Sequence, residues 1–163
     1  MEAGIPKTTI IGVNRASDLL SIASNILAAE IGLCRNQNHE AVRRFERAVA
    51  AQDDLKYDEP PPWYYPVRES LGAALLRAGR AHSAESVYRE DLRRNPESGW
   101  SLNGLAKSLS AQNNDAAAGI TRERFVAAWR YADFSLDSGD GGLAALPLSD
   151  THRTTIGMSA SRP

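Results

Sequence analysis

Cysteine occurs once in the 163 residues, at Cys34, so no internal disulfide can form and the chain suits a reducing compartment. One thiol beside Leu33, near the end of an apolar stretch, implies no redox role. Charge of one sign is also missing. A formal net charge of −1 leaves no basic excess of the kind that nucleic-acid-binding faces need. The basic run Arg89, Arg93 and Arg94 lies beside Glu85, Glu90 and Asp91, in the spacing of an ordinary solvated helix face. Residues 1–7 carry no basic stretch leading into an apolar one, and no 18-residue apolar run is read as a bilayer span. The expectation is a cytoplasmic protein with neither a membrane nor a nucleic acid as partner. Signs of chemistry are as sparse. No Ser, His and Asp set is linked by motif, and Ser138 to Gly142 lacks the strand, helix and Lys of a phosphate-binding loop. Asp53, Asp54, Asp58 and Glu59 lack the alternate ligand spacing and turn glycine of a hard-cation loop. His39 and His82 fall at equivalent places in successive units, at helix-packing distances too great to share one zinc ion. No enzyme, metal or cofactor is expected.

What the chain does have is a period. Leu71, Gly72, Leu75 and Ala84 return 34 residues later as Leu105, Ala106, Leu109 and Ala118. Moving the other way, Ala84 and Tyr88 match Ala41 and Phe45 at an offset of 43, nine more than the period. The extra residues fall around Asp54 to Pro62, where Asp-Glu-Pro-Pro-Pro cannot continue a helix. A fixed period of this size is the signature of stacked helix-turn-helix units, which present an extended concave surface to other molecules.

The spacing Leu71-Gly72, Ala84, Tyr88 and Pro96 resembles the tetratricopeptide repeat family. The central unit departs from that family's pattern at Arg68 and Leu75, where Trp and Tyr are often found. The third unit places Arg122 where an aromatic is expected, with Phe125 and Trp129 nearby. The stretch from Phe45 through Trp63-Tyr64-Tyr65-Pro66 to Asn95-Pro96 also looks like the C-terminal repeat region of larger bacterial tetratricopeptide proteins. The resemblance implies an all-α fold, an α-solenoid of about three repeats with irregular termini. It also implies a protein–protein interaction scaffold, or else a non-catalytic accessory region of a larger enzyme with a tendency to self-associate. In the family the first helix of each pair lines the groove. Carried across, the groove positions are Ile26 and Glu30 in the first unit, Glu69, Ala73 and Arg77 in the second, and Trp100, Asn103 and Lys107 in the third, with Trp100 as aromatic anchor. The subgroup that grips a C-terminal carboxylate has Lys and Asn where Ile26 and Glu30 stand, so that ligand is not expected.

Along the chain, residues 1–16 are read as an irregular segment. The repeat domain is read over 17–133, with units at about 17–54, 63–96 and 97–133. Residues 134–163, rich in Ser, Thr and Gly, are read as a disordered or loosely packed tail. Ser17-Asp18 predicts the cap of the first helix. Turns are expected at Asn36-Gln37-Asn38, Gly79-Arg80 and Asn113-Asn114. Aromatic residues make up only 7% of the chain, which singles out Trp63, Tyr64 and Tyr65, framed by prolines, as a second candidate surface.

Overall fold

The computed structural model of the protein describes residues 6, 8–134 and 136. Most of this is helix: α1 (Ala16–Cys34), α2 (Asn38–Asp53), α3 (Val67–Arg77), α4 (Ala81–Arg94), α5 (Gly99–Ser110) and α6 (Asp115–Trp129). Each helix packs on the next in sequence, and α3 also touches α5. The expected tail lies, apart from Phe134 and Leu136, outside the described residues.

The N-terminal segment is less irregular than the sequence suggested. Strand β1 (Ile10–Ile11) pairs antiparallel with β2 (Asn14–Arg15), Ile10 opposite Arg15. Distant residues hold this two-rung hairpin in place. The Asn14 amide donates to the Lys56 carbonyl at 2.9 Å and accepts from the Lys56 N–H at 2.8 Å, and Val13 N–H donates to Asp58 Oδ2 at 3.2 Å. The hairpin also changes how α1 begins. Ala16 N–H donates to the Thr9 carbonyl at 2.9 Å, and α1 starts at Ala16 with no side-chain cap. Ser17 is therefore inside the helix, where its hydroxyl meets Asp18.

The three helical hairpins close in one register. Asn36, Gly79 and Asn113 all take positive φ, at 57°, 72° and 61°. At each, the left-handed residue donates back three positions, to Leu33, Leu76 and Ser110, while the residue after it donates back five, to Gly32, Leu75 and Leu109. This is the pattern of a Schellman cap, and it satisfies the carbonyls that a helix end leaves open. The following helix begins in each case with the same bond: Ala41 to Gln37, Ala84 to Arg80 and Ala118 to Asn114. These three alanines are all fully buried, so the crossing of each pair is set at the same place.

Ile22, Leu33, Val42, Phe45, Val67, Leu71, Leu75, Tyr88, Leu105 and Leu109 form one continuous core. Tyr88 seats against two small residues: a Cβ on Gly72 would lie 2.4 Å from its ring, and one on Gly104 only 2.1 Å. Helix α1 needs a correction to the sequence reading. By length and composition it is, among the described residues, a helix apolar enough to cross a membrane, with mean hydropathy 1.3 over its window. Part of that character serves the core. Ile22, Ala29 and Leu33 are buried on the α2 side, while Leu20, Leu27 and Ile31 face outward.

The join between the first two hairpins runs through residues 54–66. Asp53, at the end of α2, pairs with Arg68 of α3 and with Arg94 of α4, the latter at 2.9 Å. The hydrogen bonds from Arg68, and then the two nearby positive charges, hold the Asp53 carboxyl below the usual carboxylate range. Gln52 accepts from Val67 N–H at 2.9 Å and donates to the Tyr65 carbonyl at 2.8 Å, so α2 supplies the cap that Pro66 cannot.

Candidate functional site

The residues carried over as groove positions lie along α1, α3 and α5. Ile26 and Glu30 are half-buried on α1, Glu69 is half-buried and Ala73 nearly covered on α3, and Asn103 and Lys107 are half-buried on α5. Arg77 is exposed at the end of α3. Its guanidinium donates to the Leu33 carbonyl at 3.4 Å, and its own carbonyl accepts from the Asn38 amide at 3.2 Å, so it ties α3 to the first hairpin's turn. Burial raises the Glu30 carboxyl above its ordinary range, and the charge of Arg77 works in the opposite direction.

Among the residues carried over as groove positions, Glu69 has the most perturbed environment. It sits in the first turn of α3 and accepts from the Ser98 hydroxyl at 2.7 Å. Ser98 is in turn the N-cap of α5, its Oγ accepting from Ser101 N–H. On the other side of that helix start, the buried Asp91 accepts from the Ser101 hydroxyl at 2.6 Å and from the Asn95 amide at 3.0 Å. Two carboxyls thus surround one helix N-terminus, where the peptide dipoles favour negative charge. Burial outweighs that help for Glu69 and pushes it up to about 7, with the charge of Asp91 adding to the effect. Asp91 is raised as well, by burial first, against the hydrogen bonds from Ser101 and Asn95. Sequence reasoning singled out Glu69 but missed Asp91, Ser98 and Ser101. Only Ser98, a cap-type residue just before an apolar stretch, left a local signal.

Trp100, read from sequence as an aromatic anchor, has its ring in a cluster at the C-terminal end. Its centroid lies 5.7 Å from Trp129 in an edge-to-face contact and 6.2 Å from Phe134, and Trp129 stacks on Phe125 at 5.8 Å. Gly99 makes room, since a Cβ there would meet Trp129 at 2.1 Å, and Trp129 Nε1 donates to the Phe134 carbonyl. Phe125 and Trp129 occupy this cluster, and Arg122 stands exposed on the open side of α6. With Gly119, Glu123 and Val126 it borders a shallow depression of about 470 Å³.

Trp63, Tyr64 and Tyr65 do form one cluster, with centroids 4.8 to 6.2 Å apart. Its members differ in role. Trp63 packs on the core, Tyr64 is 76% exposed, and the Tyr65 hydroxyl is enclosed near Ser70, burial pushing it up to about 12. Among the described residues, no group of three or more His, Cys, Asp or Glu side chains converges as a metal site would require. No family model, curated protein or solved structure matches this chain.

Proposed function

We propose that this chain is a protein–protein interaction scaffold whose three hairpins are tetratricopeptide-like repeats of one solenoid, holding an extended peptide or a partner helix along α1, α3 and α5. The observation that carries this is the threefold recurrence of one cap register, at Asn36, Gly79 and Asn113. Hairpins closed in one register and packed in sequence turn the same side the same way. The first helices of the second and third hairpins touch each other, which favours the first-helix side as the inner, concave one. Along that side the polarity changes, from Glu30 and Glu69 on α1 and α3 to Asn103 and Lys107 on α5. A segment whose basic half lies over the carboxylates of α1 and α3 would match this order, the Lys107 amine being buried on α5. Arg77 marks the outer edge of the same side.

The test is capture from lysate with the wild-type chain and a Glu30→Lys, Asn103→Asp variant, read by mass spectrometry after circular dichroism shows both folded. A partner held by the wild type and lost from the variant supports the groove. Equal capture by both removes it, and directs attention to Tyr64 and its neighbours. The second reading, a non-catalytic accessory repeat region of a larger protein, is favoured by the apolar outer face of α1. It predicts that binding needs residues of that face rather than of the groove.

A further inference from the structure

The repeat register says what the outer face of α1 is shaped to do. Ser24, Leu27 and Ile31 stand at the positions of Val67, Ser70 and Ala74 on α3, and of Ser101, Gly104 and Ser108 on α5. All six of those inner residues are buried, in helices that pack on the second helix of the hairpin before them. On α1 the same positions have nothing in front of them among the described residues: Leu27 is 63% and Ile31 42% exposed, and Leu20, further along the same stripe, is 50% exposed.

The sequence of that stripe differs from its inner equivalents in a way that names an occupant. Leu20, Ser24, Leu27, Ile31 and Cys34 follow one another at alternating steps of four and three, the seam of a two-stranded coiled coil. The leucines and Cys34 fall at d positions, and Ser24 and the β-branched Ile31 at a positions. Leucine at d with isoleucine at a is the combination that favours parallel pairs. Ala23 and Ala28 flank the seam and permit close approach, and no charged residue occurs between Asp18 and Glu30. Glu30 then takes a g position and Arg35 the following e position, so in a parallel pair each Glu30 meets the other copy's Arg35. The face is complementary to itself in both shape and charge.

We propose that this face pairs with the same face of a second copy of the chain, α1 alongside α1 in parallel. The helix is already formed by its packing on α2, so pairing carries no cost of helix nucleation. From Leu20 to Cys34 the seam is about 22 Å long and lies at the small end of specific interfaces, so the dimer is reversible and depends on concentration. The outer face of α6 is a poorer occupant: beside the exposed Ile120 and Val126 it carries Arg122 at the position of Tyr88, which would bring a charge onto Leu27.

Sedimentation velocity across micromolar to high micromolar concentration tests this, together with mild oxidation and a non-reducing gel. The wild type is expected to form a dimer that Leu27→Glu weakens more than tenfold. A parallel seam brings the two Cys34 residues into the range a disulfide can span, so oxidation is expected to link the wild type and not the Cys34→Ser variant. Should Leu27→Glu fail to fold, a charge exchange replaces it: Glu30→Arg and Arg35→Glu each weaken the dimer, and the two together restore it. A dimer indifferent to these changes, or one that does not link through Cys34, overturns the proposal. So does a chain that stays monomeric, whether it then binds phosphatidylcholine vesicles or accepts another protein's helix on this face.

Discussion

At the residue scale, Tyr88 is held between α3 and α5 by two glycines whose missing side chains are the space it fills. Gly104→Ala is expected to destabilise the fold by about 1–3 kcal/mol in urea titration, because the overlap with the ring exceeds what alanine gains in helix propensity. Gly119→Ala, with nothing within 4 Å of the new Cβ, is the control and should be neutral or stabilising by up to about 1 kcal/mol. Glu69 makes a prediction of opposite kind. Its folded value of about 7 lies above the unfolded 4.5, so the folded state holds the proton more tightly. Its contribution is fully present below the unfolded value and is lost as pH rises through 7, by at most about 3 kcal/mol. Asp91 and Glu30 shift in the same direction and Asp53 in the other. Glu69→Gln should therefore flatten the fall in melting temperature between about pH 4.5 and 7, leaving in place the slope below that window, which comes from the lowered carboxyls of Asp53, Glu40, Glu85 and Glu90.

At the scale of elements, the turns carry the argument. Gly79 has open space for a side chain yet sits at φ +72°, so Gly79→Ala is expected to cost about 1 kcal/mol by backbone strain alone, while Asn36→Gly and Asn113→Gly should be close to neutral. Thermal melts of the three variants check this. These turns were legible beforehand, since Gly and Asn are the residues that tolerate such geometry, and so were the helices between them, because the buried Ala41, Ala84 and Ala118 repeat with Phe45 and Tyr88. The β-hairpin at 10–15 was not legible. Two residues per strand give no pattern, and its partners Lys56 and Asp58 lie over 40 positions away. Gln52 as the cap of α3 was hidden because it reaches Val67 from across the intervening loop, and no spacing rule could aim the Trp100 ring toward Trp129 or bring Asp91 to the start of α5.

At the scale of the whole molecule, stacking explains why an all-α chain with one continuous core still has two ends of different character. The first helix leaves Leu20, Leu27 and Ile31 outside, and α6 leaves Ile120 and Val126 outside among the charged Arg122 and Glu123. The join between the first and second hairpins has a consequence of its own. The α2 and α3 helices face each other directly, and Gln52, Asp53 and Asn38 bind across to Val67, Arg68, Arg94 and Arg77. The linking residues meanwhile loop outward, with Tyr57 81% exposed and Glu59, Pro60 and Pro61 open to solvent. A chain cut between Glu59 and Pro62 should therefore remain one particle, its two pieces co-eluting and melting together. Expressed apart, the same pieces should find each other and reassemble, which makes this loop the natural place to split the protein into two halves that report on their own reunion.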